Sequence, residues 1–240
     1  MQPLPPATAP PFPFVEGALF LVDKPPGWTS FDVVNKLRYR IRKELGVKKF
    51  KVGHAGTLDP MATGLLNICV GRWTKRLSEL EGLDKTYTGT IRFGATTPSF
   101  DAETDIDAHY PTDHLSLEGL RSAATRFTGA IEQIPPMYSA IKVDGQPLYK
   151  KARRGEVIEV QARPVHVHQF DLRDFTGSTV DFTIRCSKGT YIRSLANDLG
   201  AAAGSGAYLT ALRRTEVGPY HIDDAWELEE LLETVSATEA

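Results

Sequence analysis

Apolar positions along the chain change period several times, and each change marks an element. Residues 18–25, "ALFLVDKP", 65–70, "LLNICV", and 85–94, "KTYTGTIRFG", are of strand length and composition. Between the first two, Phe31, Val34, Leu37, Ile41 and Leu45 recur at helical spacing. They predict a basic amphipathic helix from Ser30 to about Leu45, with Ser30 as N-cap. Residues 119–129, "GLRSAATRFTG", read as a helix ending at Gly129, and 139–149, "SAIKVDGQPLY", as a hairpin around an Asp144–Gly145 turn that leads into a short helix from Pro147. Strands at 163–175 and 179–187 follow, the second with Val180, Phe182, Ile184 and Cys186 on one face. A further helix begins near Thr190, with Ile192, Leu195, Ala196 and Leu199 as its apolar face. Hairpins and helices mix without strict alternation. That order predicts an α+β fold with a mixed, largely antiparallel sheet flanked by helices.

With 240 residues, 41% hydrophobic and 24% charged, the chain can bury a proper core and has an ordinary globular composition. One domain is expected over residues 15–222, and no internal repeat or low-complexity linker interrupts it. Residues 1–14 hold six prolines and read as a mobile, polyproline-like tail outside the fold. They lack the basic-then-apolar order of a secretory signal. Residues 223–240 read as a short acidic helix and tail packed on an edge. No apolar run is long enough to span a membrane. Cys69 and Cys186, each alone on an apolar strand, read as buried thiols of a reducing cytoplasm, and no Cys/His cluster suggests zinc.

The net charge of −2 conceals a lopsided distribution. Residues 36–51 carry eight basic side chains and one acid, and residues 149–156 four basic and one acid. From Glu216 onward there are eight acids and no Lys or Arg. Each basic run has a plain reading as a solvated face. Together, flanking glycine-rich loops, they also fit an electrostatic track for a phosphate backbone.

Residues 53–66, "GHAGTLDPMATGLL", form one such loop. Asp59 precedes Pro60, which disfavours the α region for it. Pro60 suits the first position of a short helix, which makes Asp59 its N-cap. Alternatively, the glycine lining lets a substrate approach while Asp59 points into the loop. A second polar loop, residues 188–200, places Arg193 in the first turn of its helix, where the macrodipole disfavours a cation. Arg193 is then either exposed at small cost or paired with an anion, for which Asp59 is a candidate.

Six stretches, in order across nearly the whole chain after residue 15, resemble the TruB family of tRNA pseudouridine synthases. They are "DKPPGWTS" (23–30), "VGHAGTLDPMATGLL" (52–66), "DKTYTGTIRFG" (84–94), "IPPMYSAIKVDGQPLYKKARRG" (134–155), "CSKGTYIRSLANDLG" (186–200) and "YLTALRRTEVGPY" (208–220). The resemblance implies a pseudouridine-synthase-like fold with a catalytic cleft across the sheet, and isomerisation of uridine 55 in the tRNA T-loop without metal or other cofactor. It makes Asp59 the essential carboxylate, whether it attacks the base, attacks the sugar or assists elimination. An aspartate is already an anion at neutral pH, and a nearby arginine favours that form. Arg193 matches the arginine in that role. Tyr87 matches the tyrosine that packs on the target base and takes the C5 proton. His54 matches a residue holding the extruded nucleotide, Tyr191 and Leu212 match residues lining the uracil pocket, and Asp101 matches a further polar residue of the site.

Two departures stand out. Residues 95–105 read "ATTPSFDAETD", unlike the usual family segment around Asp101, and only about twenty residues follow Tyr220, too few for a PUA-type RNA-binding module. The catalytic domain is therefore expected to grip the tRNA T-arm itself, through Arg38, Arg42, Lys48, Lys49, Lys51, Lys150, Lys151, Arg153 and Arg154. A monomeric cytoplasmic enzyme is implied. The alternatives are a guide-RNA-dependent synthase of the same superfamily, and an RNA-binding or tRNA-folding protein that retains the pocket. A glycoside hydrolase would need a partnered second carboxylate, which no residue supplies convincingly.

Overall fold

The computed structural model describes residues 1–143, 145–156 and 158–236. The chain divides into two compact units, Met1–Thr86 with Arg213–Ala240, and Tyr87–Leu212, where one domain over residues 15–222 is expected. In chain order the first unit supplies β1 (Ala18–Lys24), α1 (Ser30–Glu44), β2 (Val52–Ala55), β3 (Thr63–Val70) and α2 (Leu77–Glu81). The chain leaves it within β4 (Lys85–Phe93). The second unit holds β5 (Ala95–Thr96), β6 (Ala108–His109), α3 (Leu117–Ala124), β7 (Gly129–Gln133), β8 (Lys142–Val143), β9 (Gln146–Pro147), α4 (Leu148–Ala152), β10 (Arg163–Arg173), β11 (Thr179–Cys186) and α5 (Ile192–Ala202). The return lies within β12 (Ala207–Val217), followed by β13 (Tyr220–His221), β14 (Trp226–Glu227) and α6 (Leu228–Ser236).

In the first unit β1 pairs antiparallel with β3 and parallel with β14, and β2 pairs antiparallel with β3. Arg213 and Arg214 of β12 run parallel to Thr63 and Gly64 of β3. The approach there is close: a Cβ on Gly64 would lie 2.3 Å from the Arg214 carbonyl oxygen, so a glycine is required. In the second unit β10 is flanked by β11 and β7, both antiparallel. The expected α+β class and mixed, largely antiparallel pairing are thus both present.

The near-continuous apolar character of β1 and β3 has a structural cause. Phe20 and Val22 of β1 and Leu66 and Ile68 of β3 face α1 and α6, while Leu19, Leu21, Leu65 and Cys69 face a second cluster with Leu80 and Val217. Each strand is covered on both sides, so polar alternation disappears. Both cysteines are buried, and neither forms a disulfide. Burial pushes the Cys69 thiol up to about 11, so it stays protonated at neutral pH.

Residues 1–14, expected to lie outside the fold, are held against this unit. Phe12 and Phe14 are buried in the cluster of Phe20 and Trp226, with the Phe12 and Phe20 rings edge to face at 5.5 Å. The Leu4 amide donates to the Leu19 carbonyl at 2.9 Å, and Trp226 Nε1 donates to the Leu4 carbonyl at 2.8 Å. Proline keeps this segment extended and poor in N–H donors, so it can lie on the core largely through its side chains. Burying two Phe side chains contributes roughly 1.5–3 kcal/mol each. The proline count points to a free tail; the two phenylalanines decide otherwise.

Two helix expectations shift in detail. The N-cap of α1 is Thr29, not Ser30: Thr29 Oγ1 accepts from the Asp32 amide at 3.0 Å, and Asp32 Oδ2 accepts from the Thr29 amide at 2.9 Å. Phe31, placed on the apolar stripe by spacing, is 60% exposed, because Val33, Val34, Leu37 and Ile41 make the buried face. β8 and β9 pair antiparallel as the expected hairpin; Asp144 of its turn lies outside the described residues, as do residues 237–240 of the acidic tail. Within α6, Leu228, Leu231, Leu232 and Val235 are buried.

Candidate active site

The loop between β2 and β3 carries Asp59, and no helix starts at Pro60. The Ala62 amide donates to the Asp59 carbonyl at 3.1 Å, and β3 begins at Thr63. Residues 59–62 therefore form a turn with proline at its second position, which the fixed φ of Pro60 suits. Asp59 opens a turn, where a helix cap is one of the two expectations.

Buried side chains hold the backbone on both sides of Asp59. Ser30 Oγ donates to the Leu58 carbonyl at 3.1 Å and accepts from the Leu58 amide at 2.8 Å. Lys24, fully buried at the end of β1, donates from Nζ to the carbonyls of Trp28 at 2.6 Å, Pro25 at 2.9 Å and Pro60 at 3.3 Å. A buried ammonium is tolerated only with such acceptors in place of water. The Gly27 amide also donates to the Pro60 carbonyl, at 2.8 Å. Arg214, 1% exposed, donates from Nε to the Leu65 carbonyl at 2.7 Å and from Nη2 to the Gly56 carbonyl at 3.0 Å. It therefore ties together the two ends of the loop. Gly56 takes φ +81°, and a Cβ there would come within 3.3 Å of the guanidinium. His54, two residues before Gly56, is half-buried; burial first, and then the Arg214 charge, lower its pKa. It is neutral at pH 7.

The second unit brings Arg193 and Asp101 together. Arg193 sits in the first turn of α5, and its Nε lies 3.5 Å from Asp101 Oδ2, with both side chains almost fully buried. Its Nη1 and Nη2 donate to the carbonyls of Ser99 at 2.9 Å and Tyr138 at 2.8 Å. Ser99 Oγ and the Glu103 amide donate to Asp101 Oδ1. The awkward position of Arg193 near a helix N-terminus is thus offset by a buried carboxylate and two carbonyls. Asp101 is 1% exposed, so its carboxylate faces Arg193 and offers little surface to solvent. Tyr191, the N-cap of α5, has its amide and carbonyl both bound by the Gln133 side chain, at 2.8 and 3.0 Å. Tyr87 on β4 and Leu212 on β12 are buried. Asp59 and His54 belong to the first unit, and Tyr87, Asp101, Tyr191, Arg193 and Leu212 to the second.

The two basic segments differ. Arg38, Arg42, Lys48, Lys49 and Lys51 line one groove of about 450 Å³, with no acid among its described lining residues. Arg38 Nη2 donates to the Val52 carbonyl at 3.0 Å, which fixes the groove wall next to β2. The α4 cluster is thinner than expected. Lys151 is only 9% exposed, and Arg154 is bonded to Glu156 and Gln146 at 2.8 and 3.0 Å. Lys150 and Arg153 remain exposed.

Lys24, Arg214 and the loop-holding role of Ser30 are not evident from the sequence. A signal exists for Arg214, which follows Leu212 by two residues and so shares its buried phase on β12. Lys24 closes an otherwise buried strand.

Comparison with known proteins bears on this arrangement. Residues 42–192 match the model of the TruB family pseudouridylate synthase N-terminal domain, and residues 193–240 that of the tRNA pseudouridylate synthase B C-terminal domain. The chain is 51% identical over 216 residues to a tRNA pseudouridine synthase B of Flavobacterium johnsoniae, covering 90% of this chain and 94% of that protein. It is 50% identical over 226 residues to one of Phocaeicola vulgatus, covering 94% and 96%. Among solved structures, a Cbf5-Nop10-Gar1 complex contains a chain that superposes with a TM-score of 0.69 at 28% identity, over 96% of this chain and 58% of that one. With two adjoining family models matched over residues 42–240, and about half of the aligned residues shared with both relatives, the chain belongs to the TruB family of pseudouridylate synthases.

Proposed function

We propose that this protein isomerises uridine to pseudouridine at position 55 in the T-loop of tRNA, with Asp59 as the essential carboxylate and no cofactor. The observation that carries the reading is the bracing of the Asp59 loop. Ser30 grips Leu58, Lys24 reaches Pro60, and Arg214 joins Gly56 to Leu65. Preorganisation of this kind suits a reaction in which one carboxylate must meet a base at fixed distance and angle. The reaction breaks the bond between ribose and uracil N1, turns the base and rejoins it at C5. The C5 proton is lost and N1 gains one, so the atoms balance without an external reagent.

In this reading Arg193 keeps the reacting carboxylate ionised once water has left, and Asp101 acts through Arg193. Tyr87 packs on the base and accepts the C5 proton. Tyr191 and Leu212 line the uracil pocket, and neutral His54 supports the extruded nucleotide. Unstacking the target base costs a few kcal/mol, which flat and apolar partners offset. The cationic groove of α1 and residues 48–51 holds the T-arm backbone, with Lys150 and Arg153 as a second contact. The enzyme acts as a cytoplasmic monomer. Identity of 51% over 94% of the F. johnsoniae tRNA pseudouridine synthase B, against 28% over 58% of the matched chain from the Cbf5-Nop10-Gar1 complex, supports the tRNA reading.

Purified protein incubated with unmodified tRNA transcript tests the assignment. Pseudouridine mapped at position 55 is the expected product. Tight tRNA binding without isomerisation would instead support the RNA-folding reading.

A further inference from the structure

The solvent face of α1 exposes more aromatic surface than a helix of this basic character requires. Phe31 and Tyr39 are 60% and 61% exposed. They stand eight residues apart with Asn35 midway, so the three share one stripe, at steps of roughly 6 Å. Beside it runs a groove of about 540 Å³ lined by Gly27, Trp28, Asp32, Asn35, Lys36 and Tyr39. That volume falls within the roughly 300–1,000 Å³ of small-ligand sites. The one acid among its described lining residues, Asp32, is engaged by the Thr29 amide and hydroxyl, and Lys36 is exposed.

Two connections place this groove. Asn35 Oδ1 accepts from Arg38 Nη1 at 2.8 Å, and Arg38 lines the cationic groove next to it. At its other end, the Trp28 carbonyl accepts from Lys24, and the Gly27 amide donates to Pro60, the residue after Asp59. The aromatic groove thus lies between a run of cations and the Asp59 loop, all within the first unit. Aromatic side chains beside a cationic track are the composition of a base-stacking platform.

We propose that this groove takes up one unpaired nucleotide of the tRNA substrate, its base stacked on Tyr39 and Trp28 and its phosphate facing Lys36. The inference rests on the proposed tRNA substrate but adds a contact outside the uracil pocket. Its signature differs from that of the cationic groove. Removing a stacking partner leaves the number of neutralised phosphates unchanged, so affinity falls without a change in salt dependence. Removing a cation that neutralises a phosphate flattens the log–log slope.

The test is binding of unmodified tRNA from low to moderate salt by wild type, the Trp28→Ala/Tyr39→Ala double variant and Tyr39→Trp. Tyr39 is exposed and Trp28 partly buried, and thermal melting checks that the fold is kept. The expected result is a loss of roughly tenfold or more for the double variant at every salt concentration, an unchanged slope, and retained affinity for Tyr39→Trp. Wild-type affinity in the double variant overturns the proposal, as does a flattened slope, which would mean phosphate contact. Loss of a wild-type dimer in sedimentation, with tRNA affinity unchanged, would assign the face to a second copy of the chain. If wild type itself fails to bind tRNA, the functional reading falls, and this one with it. If wild type binds and the double variant binds equally, only this one falls.

Discussion

Ser30 grips the peptide at Leu58 from both sides, its hydroxyl donating to the carbonyl at 3.1 Å and accepting from the amide at 2.8 Å. The interaction spans 28 residues of sequence and fixes the peptide immediately before Asp59. Ser30→Ala leaves both backbone groups buried without that partner, at a cost of roughly 1–3 kcal/mol of stability. Misplacement of a reacting group by about 1 Å can cost on the order of a hundredfold in rate. The expected outcome is therefore a fall in kcat of roughly ten- to a hundredfold with KM within a few-fold, and partial recovery in Ser30→Thr. Steady-state kinetics checks this. Equal loss in KM and kcat, or no rescue, would mean that Ser30 only supports the fold.

Asp101 and Arg193 form a buried pair, and in the proposed function Asp101 is a positioning residue. Asp101→Asn keeps the shape but leaves the guanidinium without its carboxylate. Breaking such a pair costs roughly 3–5 kcal/mol when one partner is removed, and less here because the amide can still accept a hydrogen bond. Activity should fall by about tenfold or more while tRNA affinity stays close to wild type. Single-turnover rates at saturating tRNA give the answer. Wild-type turnover would deny Asp101 any part in positioning Arg193 for the reaction.

The His54 pKa is lowered by burial first and by Arg214 second. The unfolded chain therefore binds the proton more readily than the folded one below about pH 6.5. The stability that a neutral His54 contributes is present above that value and declines as pH falls toward the folded pKa. His54→Gln should narrow the difference in Tm between pH 7 and pH 5. Melting curves of both proteins at several pH values test it, and an equal acid-induced drop in both would assign the loss to other groups.

Lys48, Lys49 and Lys51 share a groove with Arg38 and Arg42. Reversing the three lysines to Glu should weaken T-arm stem-loop binding and flatten its salt dependence, by roughly 0.7–0.9 in log–log slope for each phosphate no longer neutralised. The modified position should not change, because phosphate contacts position RNA without selecting the base. Unchanged affinity and slope would make this run a solvated face.

Sequence is most informative here where chemistry is local. The Asp-Pro pair in a glycine-lined loop and the arginine at the start of α5 are both visible as residues out of keeping with their surroundings. Long-range partners are not. Nothing near Arg193 in sequence indicates Asp101, 92 positions away, or the Ser99 and Tyr138 carbonyls. Lys24 and Arg214 carry little local mark of their role, because the Pro60, Leu65 and Gly56 carbonyls that receive them lie far away in sequence. Phe31 matches helical spacing yet points outward, since 3.6 residues per turn leave it at the edge of the stripe set by Val34, Leu37 and Ile41. In residues 1–14 composition misleads, because two buried phenylalanines outweigh six prolines.

The central claim is that the Asp59 carboxylate performs the isomerisation. Asp59→Asn is nearly isosteric and retains an oxygen, but it removes the charge and the nucleophile or base. Pseudouridine at position 55 should be measured by single-turnover assay on unmodified tRNA, with binding followed in parallel. The predicted result is no detectable pseudouridine at saturating protein, with tRNA affinity within several-fold of wild type. Turnover by Asp59→Asn comparable to that of the wild type would contradict the account.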